Sequence, residues 1–317
     1  MLGQQAIVIA GLDLANPTML AAGILGLTGS SLRAVVDAGA GAVVTKSVGL
    51  EPRSGYSNPT VVQVACGLLN AMGLPNPGIH HFGEEIGLAQ ETGVPVIVSI
   101  YGFSPEEFAE VAEVAADLNA DALELNVSCP HVKKTGAELG SDPELVAEVV
   151  RKVKNRVDTP VFVKLTPNVT DIRVVAKAAV EAGADAITAI NTLRAMTVEI
   201  ETKRPVLANK IGGLSGPAIK PVALRCVYEL YREVDVPIIG CGGITTWQDA
   251  VEFILAGASA IQIGTAIAFK GLEVFKSVTS GIKSYLRRNR IQSVTKLVGL
   301  AHFKHQDSVT PLKEGQY

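Results

Sequence analysis

Gly183-Ala184-Asp185-Ala186-Ile187-Thr188-Ala189-Ile190-Asn191 decides the fold. A small pair closes a helix, a short apolar run follows, and the run ends on an amide side chain. Such a run, too short for a helix and bounded by turn residues, reads as a strand buried on both faces. The same phrase stands at Ala40-Gly41-Ala42-Val43-Val44-Thr45-Lys46, at Asn119-Ala120-Asp121-Ala122-Leu123-Glu124-Leu125-Asn126 and at Gly257-Ala258-Ser259-Ala260-Ile261-Gln262-Ile263-Gly264. A second phrase, a turn followed by Pro and an apolar run, interleaves with it at Val94–Ser99, Thr159–Lys164 and Val236–Cys241. With Thr18–Ala22 these make eight strands.

The segments between them carry helical spacing. Ser104 ahead of Pro105-Glu106-Glu107, Asp142 ahead of Pro143-Glu144, and Thr170-Asp171 each read as a helix start, a short polar side chain capping the free N–H groups and Pro fitting the first turn. Strands alternating with helices make a parallel sheet. A doubly wound sheet fits this pattern; eight repeats in one chain favour a closed (β/α)8 TIM barrel. Residues 6–14 read as a small hairpin turning at Gly11 ahead of it, and residues 1–317 as a single domain. Two connections are too long for simple turns, Ser47 to about Gly78 and Thr192 to about Pro217, and read as binding loops over one end of the barrel. Within the second, Thr197–Lys203 alternates like a strand.

Composition narrows the function. The chain has 317 residues, 48% hydrophobic and 19% charged, with a net charge of −3. That supports a large core and gives no basic footprint for nucleic acid or an anionic membrane. Cys66, Cys129, Cys226 and Cys241 form no CxxC pair, which argues against a zinc site or a disulfide framework. No apolar run spans a bilayer and Met1–Gln5 lacks the basic start of a signal peptide. The expectation is a cytoplasmic protein.

Barrel chemistry sits at the C-terminal strand ends. The residues read there are Gly23, Lys46, Ser99, Asn126, Lys164, Asn191, Gly242 and Gly264. An ammonium ending an apolar strand needs an acidic partner or an anionic ligand. Cys241-Gly242-Gly243-Ile244-Thr245 and Gly264-Thr265-Ala266 end the last two strands, where barrels commonly bind phosphate through backbone N–H groups. No GxGxxG follows the first strand, so a Rossmann nicotinamide site is not indicated. Cys129 stands in Asn126-Val127-Ser128-Cys129-Pro130-His131-Val132-Lys133-Lys134-Thr135-Gly136, just past a strand among cationic neighbours that favour the thiolate. A thiol there is either a small hydrophobe or a reacting group. Glycine loops for a phosphate and a lysine for a ring that becomes negative on reduction suit flavin mononucleotide.

The chain resembles the dihydroorotate dehydrogenase family, in its NAD-linked class, from Leu12 to about Ile267. The resemblance rests on Asn126–Pro130, on Leu69-Asn70-Ala71-Met72-Gly73-Leu74-Pro75-Asn76-Pro77-Gly78, on Val163–Asp171, on Ile190–Leu193 and on Gly212-Gly213-Leu214-Ser215-Gly216-Pro217 through Pro221. It implies oxidation of dihydroorotate to orotate in pyrimidine biosynthesis, with Cys129 as the base. It implies substrate contacts at Lys46, Asn70, Ala71, Met72, Gly73, Leu74, Asn126, Asn191 and Thr192. It implies FMN contacts at Ala22, Lys46, Ser47, Ser99, Asn126, Lys164, Ile190, Gly216, Gly242, Gly243, Gly264 and Thr265. The family often has Ser in place of Ala22 and Asn in place of Ser99, and each change can remove one hydrogen bond, about 0.5–1.5 kcal/mol. His131, where Asn is common, either tunes Cys129 or caps the loop. The class further implies a partner subunit carrying FAD and an iron–sulfur cluster, which passes electrons to NAD in a heterotetramer built on a homodimer of this chain. The alternatives are a flavoenzyme like dihydropyrimidine dehydrogenase, whose loop also reads Ser-Cys-Pro-His, and a non-catalytic flavin- or phosphate-binding barrel.

Overall fold

The computed structural model describes residues 2–128 and 139–302. Cys129 and His131 therefore lie outside the described residues, as does the polar tail from Phe303. Eight parallel strands close into a barrel in simple chain order. They are β1 (Thr18–Leu20), β2 (Ala42–Val44), β3 (Val96–Ile100), β4 (Ala122–Asn126), β5 (Val161–Leu165), β6 (Ala186–Ala189), β7 (Ile238–Cys241) and β8 (Ala260–Ile263). Seven fall where the two sequence phrases place them, and β1 falls within Thr18–Ala22. β3 and β5 are buried at every residue, as strands under an outer helical ring must be.

The helices are α1 (Gly29–Asp37), α2 (Gly83–Gln90), α3 (Pro105–Asp117), α4 (Pro143–Lys154), α5 (Ile172–Glu181), α6 (Lys220–Leu230), α7 (Trp247–Ala256), α8 (Ala266–Lys270) and α9 (Glu273–Arg288). Ser104, Asp142 and Asp171 cap α3, α4 and α5, each side chain accepting from backbone N–H groups of the first turn. α4 buries Val146, Val149, Val150 and Val153, a one-sided stripe with the helical period. The hairpin Ile7–Ile9 and Leu12–Leu14 forms as the sequence indicates, and its Ile7, Ile9 and Leu14 join the main core.

The two long connections do more than cover the barrel. Val61–Val64 and Gly67–Asn70, from the first, pair with Leu193–Ala195 and Gly212–Ser215, from the second, in a four-stranded antiparallel sheet. Its own small core is Leu69, Ala71 and Leu207. The Thr197–Lys203 strand is corrected: only Val198–Glu199 pairs, with Arg204–Pro205. Lys203 turns the chain at a φ of 57°, and Val198 and Ile200 are 49% and 77% exposed. Alternation without a covered face does not hold a strand.

Candidate active site

The strand ends and the inserted sheet enclose a cavity of about 1770 Å³. That exceeds the roughly 300–1,000 Å³ of an ordinary small-molecule pocket and gives room for a cofactor and a substrate together. Every described residue named from the sequence as a contact lines it, except Ser99. Ser99 is fully buried and its hydroxyl bonds that of Ser47 at 2.9 Å. Ser99 thus supports a residue that lines the cavity.

From Ser47 the hydrogen bonding runs across the rim. Asn126 Nδ2 donates to Ser47 Oγ at 3.1 Å, and Asn191 Nδ2 donates to Asn126 Oδ1 at 3.1 Å. Side chains from the ends of β2, β3, β4 and β6 are thus locked into one line, and the amides face the cavity in fixed orientation. The Asn191 carbonyl oxygen also accepts from the Thr192 backbone N–H at 2.9 Å.

The two lysines differ. Lys46 is 8% exposed and has no ion-pair partner among the described residues, and burial pushes its pKa down. An unpaired ammonium in such a place gains from an anionic ligand. Lys164 is placed differently from the sequence expectation: it lies within β5 rather than past its end. Its ammonium donates to the Gln262 carbonyl at 2.8 Å and stands 3.4 Å from Glu124. Burial alone lowers an ammonium's pKa, but the Glu124 carboxylate outweighs it and the net direction is up. Lys164 is therefore a protonated cation on the cavity floor, with its lower side already paired.

The glycine loop after β7 has the backbone that a phosphate site needs. Gly242 and Gly243 have φ of 129° and 77°. A Cβ on them would fall 2.7 Å from Ala223 Cβ and 2.8 Å from Lys220 Cβ, so only glycine leaves the loop against α6 with its N–H groups free. Asp249 fastens the following turn, accepting from the Thr245 and Thr246 backbone N–H groups at 2.9 and 2.8 Å and pairing with Lys220 at 2.8 Å. Burial would raise this carboxyl; the Lys220 bond and the Thr245 and Thr246 donors overturn that and hold it down at about 2. Thr265 Oγ1 donates to Ser215 Oγ at 2.8 Å, and Ser215 Oγ to the Leu68 carbonyl at 3.3 Å, tying the end of β8 to the inserted sheet.

Several contributors were not singled out from sequence. Asn76 holds the 70–78 loop, its Nδ2 donating to Tyr101 Oη at 2.7 Å and its Oδ1 accepting from the Gly78 N–H at 2.9 Å. Asn168 bonds the Thr192 carbonyl at 3.1 Å and accepts from the Arg194 N–H at 2.9 Å; its place inside the quoted Val163–Asp171 run was the available signal. Cys241 lines the cavity, but burial pushes its thiol's pKa up, so it is a poor base. The described residues fit a flavin phosphate and ring on three counts: the open glycine loop, the cation on the floor, and Ser128. Ser128 lines the cavity and its Oγ is buried without a hydrogen-bond partner, a cost that a bound polar group would remove.

Known proteins agree with this geometry. A family model described as "Dihydroorotate dehydrogenase" matches residues 5–286. A protein of Methanocella arvoryzae is 54% identical over 292 residues, which cover 92% of this chain and 96% of the relative. One from Pyrococcus furiosus is 56% identical over 291 residues, covering 92% and 96%. One from Methanothermobacter thermautotrophicus is 54% identical over 296 residues, covering 93% and 97%. All three relatives are named "Dihydroorotate dehydrogenase B (NAD(+)), catalytic subunit". With most of its length matched and its strand-end residues gathered round one cavity, this chain belongs to the dihydroorotate dehydrogenase family, a family of flavin-dependent oxidoreductases.

Proposed function

We propose that this chain is the catalytic subunit of an NAD-linked dihydroorotate dehydrogenase, oxidising dihydroorotate to orotate for pyrimidine biosynthesis. The observation that carries the reading is the placing of a buried cation, Lys46, without an ion-pair partner among the described residues, with the oriented amides of Asn126 and Asn191 on the same rim. That set suits a carboxylate joined to a pyrimidine edge of alternating donors and acceptors. Asn70 through Leu74 and Thr192, which also line the cavity, complete the substrate's surroundings.

The backbone of Gly242, Gly243, Gly264 and Thr265 would hold the phosphate of FMN, and Gly216, Ile190, Ala22, Ser47 and Lys164 would hold the rest of the cofactor. Bound there, FMN supplies a two-electron acceptor for the hydride leaving C6 of dihydroorotate. Cys129 takes the C5 proton on its sulfur, so that the C5–C6 bond becomes double and both electrons of the broken C6–H bond leave as hydride. Lys46 and the amides would bind the substrate's carboxylate and pyrimidine edge.

The relatives' designation as a catalytic subunit supports a separate electron-transfer partner. The reading gives that partner FAD and an iron–sulfur cluster, NAD as the final acceptor, and a heterotetramer on a homodimer of this chain. It also places residues 1–317 in a single domain and the protein in the cytoplasm. No helix among the described residues is long and apolar enough to cross a membrane.

Dye-linked assays compare substrates. Dihydroorotate should turn over, and dihydrouracil, which lacks the carboxylate, should lose at least about 10²-fold in kcat/KM, since the buried Lys46 is then left unpaired. Equal turnover would favour the dihydropyrimidine dehydrogenase alternative, and a flavin-loaded chain that oxidises neither would favour the non-catalytic barrel.

A further inference from the structure

The floor of the cavity has a charged layer behind it. Glu124, on β4, is fully buried and does not line the cavity. Its Oε1 stands 3.4 Å from Lys164 Nζ, and its Oε2 accepts from Thr188 Oγ1 at 3.0 Å and from Gln262 Nε2. The Gln262 carbonyl in turn accepts from Lys164 at 2.8 Å. Strands β4, β5 and β8 thus close one polar ring inside the barrel, and Thr188 on β6 bonds to it. Well-packed hydrophobic residues of similar volume would serve stability as well or better, so stability does not account for a carboxylate here. The Lys164 ammonium lies between the two: the carboxylate below, the cavity above.

We propose that Glu124 is a positioning residue that fixes the Lys164 ammonium and, by sharing its charge, sets the reduction potential of the flavin bound above it. The proposal rests on the flavin reading of the cavity. A cation beside the ring favours the reduced, negatively charged flavin. A carboxylate directly behind that cation subtracts from its pull, and in a site closed to water the subtraction is not screened away. Gln262 carries no charge but spans Lys164 and Glu124, holding both at their separation. The other titratable group facing the ammonium is the Cys241 thiol, which burial keeps protonated.

The test is a spectroscopic redox titration of the flavin-loaded chain against a reference dye. Glu124→Gln keeps the size and most hydrogen bonds of the ring and removes its negative charge. The ratio of reduced to oxidised flavin should rise at least about ten-fold at fixed dye potential, about 30 mV upward for a two-electron couple. In the double variant Glu124→Gln with Gln262→Glu the carboxylate moves across the ring, and the potential should return towards wild type. A purely structural role predicts the opposite: melting temperature falls in both variants while the potential stays put. An unchanged or lowered potential in Glu124→Gln overturns the proposal. If that variant does not fold, Gln262→Glu alone decides. It adds a second carboxylate beside Lys164 and should lower the potential; no change or a rise overturns the proposal. A folded wild-type chain that takes up no flavin overturns the flavin reading itself, and is seen before any variant is compared.

Discussion

Cys129→Ala keeps its flavin and is reduced by dihydroorotate about 10²- to 10⁴-fold more slowly than wild type, the span usually carried by a positioned general base. The residues proposed to bind flavin and substrate are other than Cys129, so binding should be retained while proton removal at C5 is lost. Cys241, a thiol on the cavity wall, does not replace it, because burial pushes its pKa up. Cys129→Ser recovers only at high pH, since a hydroxyl is a far weaker acid than a thiol. Stopped-flow mixing with dihydroorotate, followed at the flavin band, reads both variants. A Cys129→Ala rate near wild type at neutral pH would remove this residue from the chemistry.

Lys164→Met has the largest expected effect on stability. It takes one partner from a pair in which Glu124 is 0% and Lys164 4% exposed. The carboxylate left behind is desolvated and retains only the Thr188 and Gln262 bonds, and the cost of breaking such a pair from one side is about 3–5 kcal/mol. The flavin also loses the cation beneath its ring, so the bound fraction after dialysis should fall. Lys164→Met combined with Glu124→Gln removes both charges and should regain much of the lost stability without regaining flavin affinity. Thermal melts of the apo and loaded forms separate the two effects. Equal melting temperatures for the single variant and wild type would mean that the pair contributes nothing to the fold.

The strand ladder of the barrel was legible in sequence because each βα unit is local. Outside the two long connections the apolar run and the next helix cap lie close in sequence, and Ser104, Asp142 and Asp171 announce their helices directly. Most cavity-lining residues followed, since a barrel gathers its strand ends at one face. What failed to show was long-range or two-faced. β5 reads Val161-Phe162-Val163-Lys164-Leu165 and is buried throughout, so no alternation marks Lys164 as an interior residue instead of a terminal one. Its partners Glu124 and Gln262 are separated from each other by 138 positions. The pairing of Leu69 with Leu214 joins two loops that each read only as a long connection. Ser99 carried the right chemistry for a contact, but its hydroxyl is spent on Ser47.

The most direct measurement is the visible spectrum of the purified chain during anaerobic titration with dihydroorotate. The account predicts a flavin spectrum that bleaches stoichiometrically, with orotate formed in equal amount and no partner subunit present. A flavin spectrum that dihydroorotate leaves unchanged would contradict it.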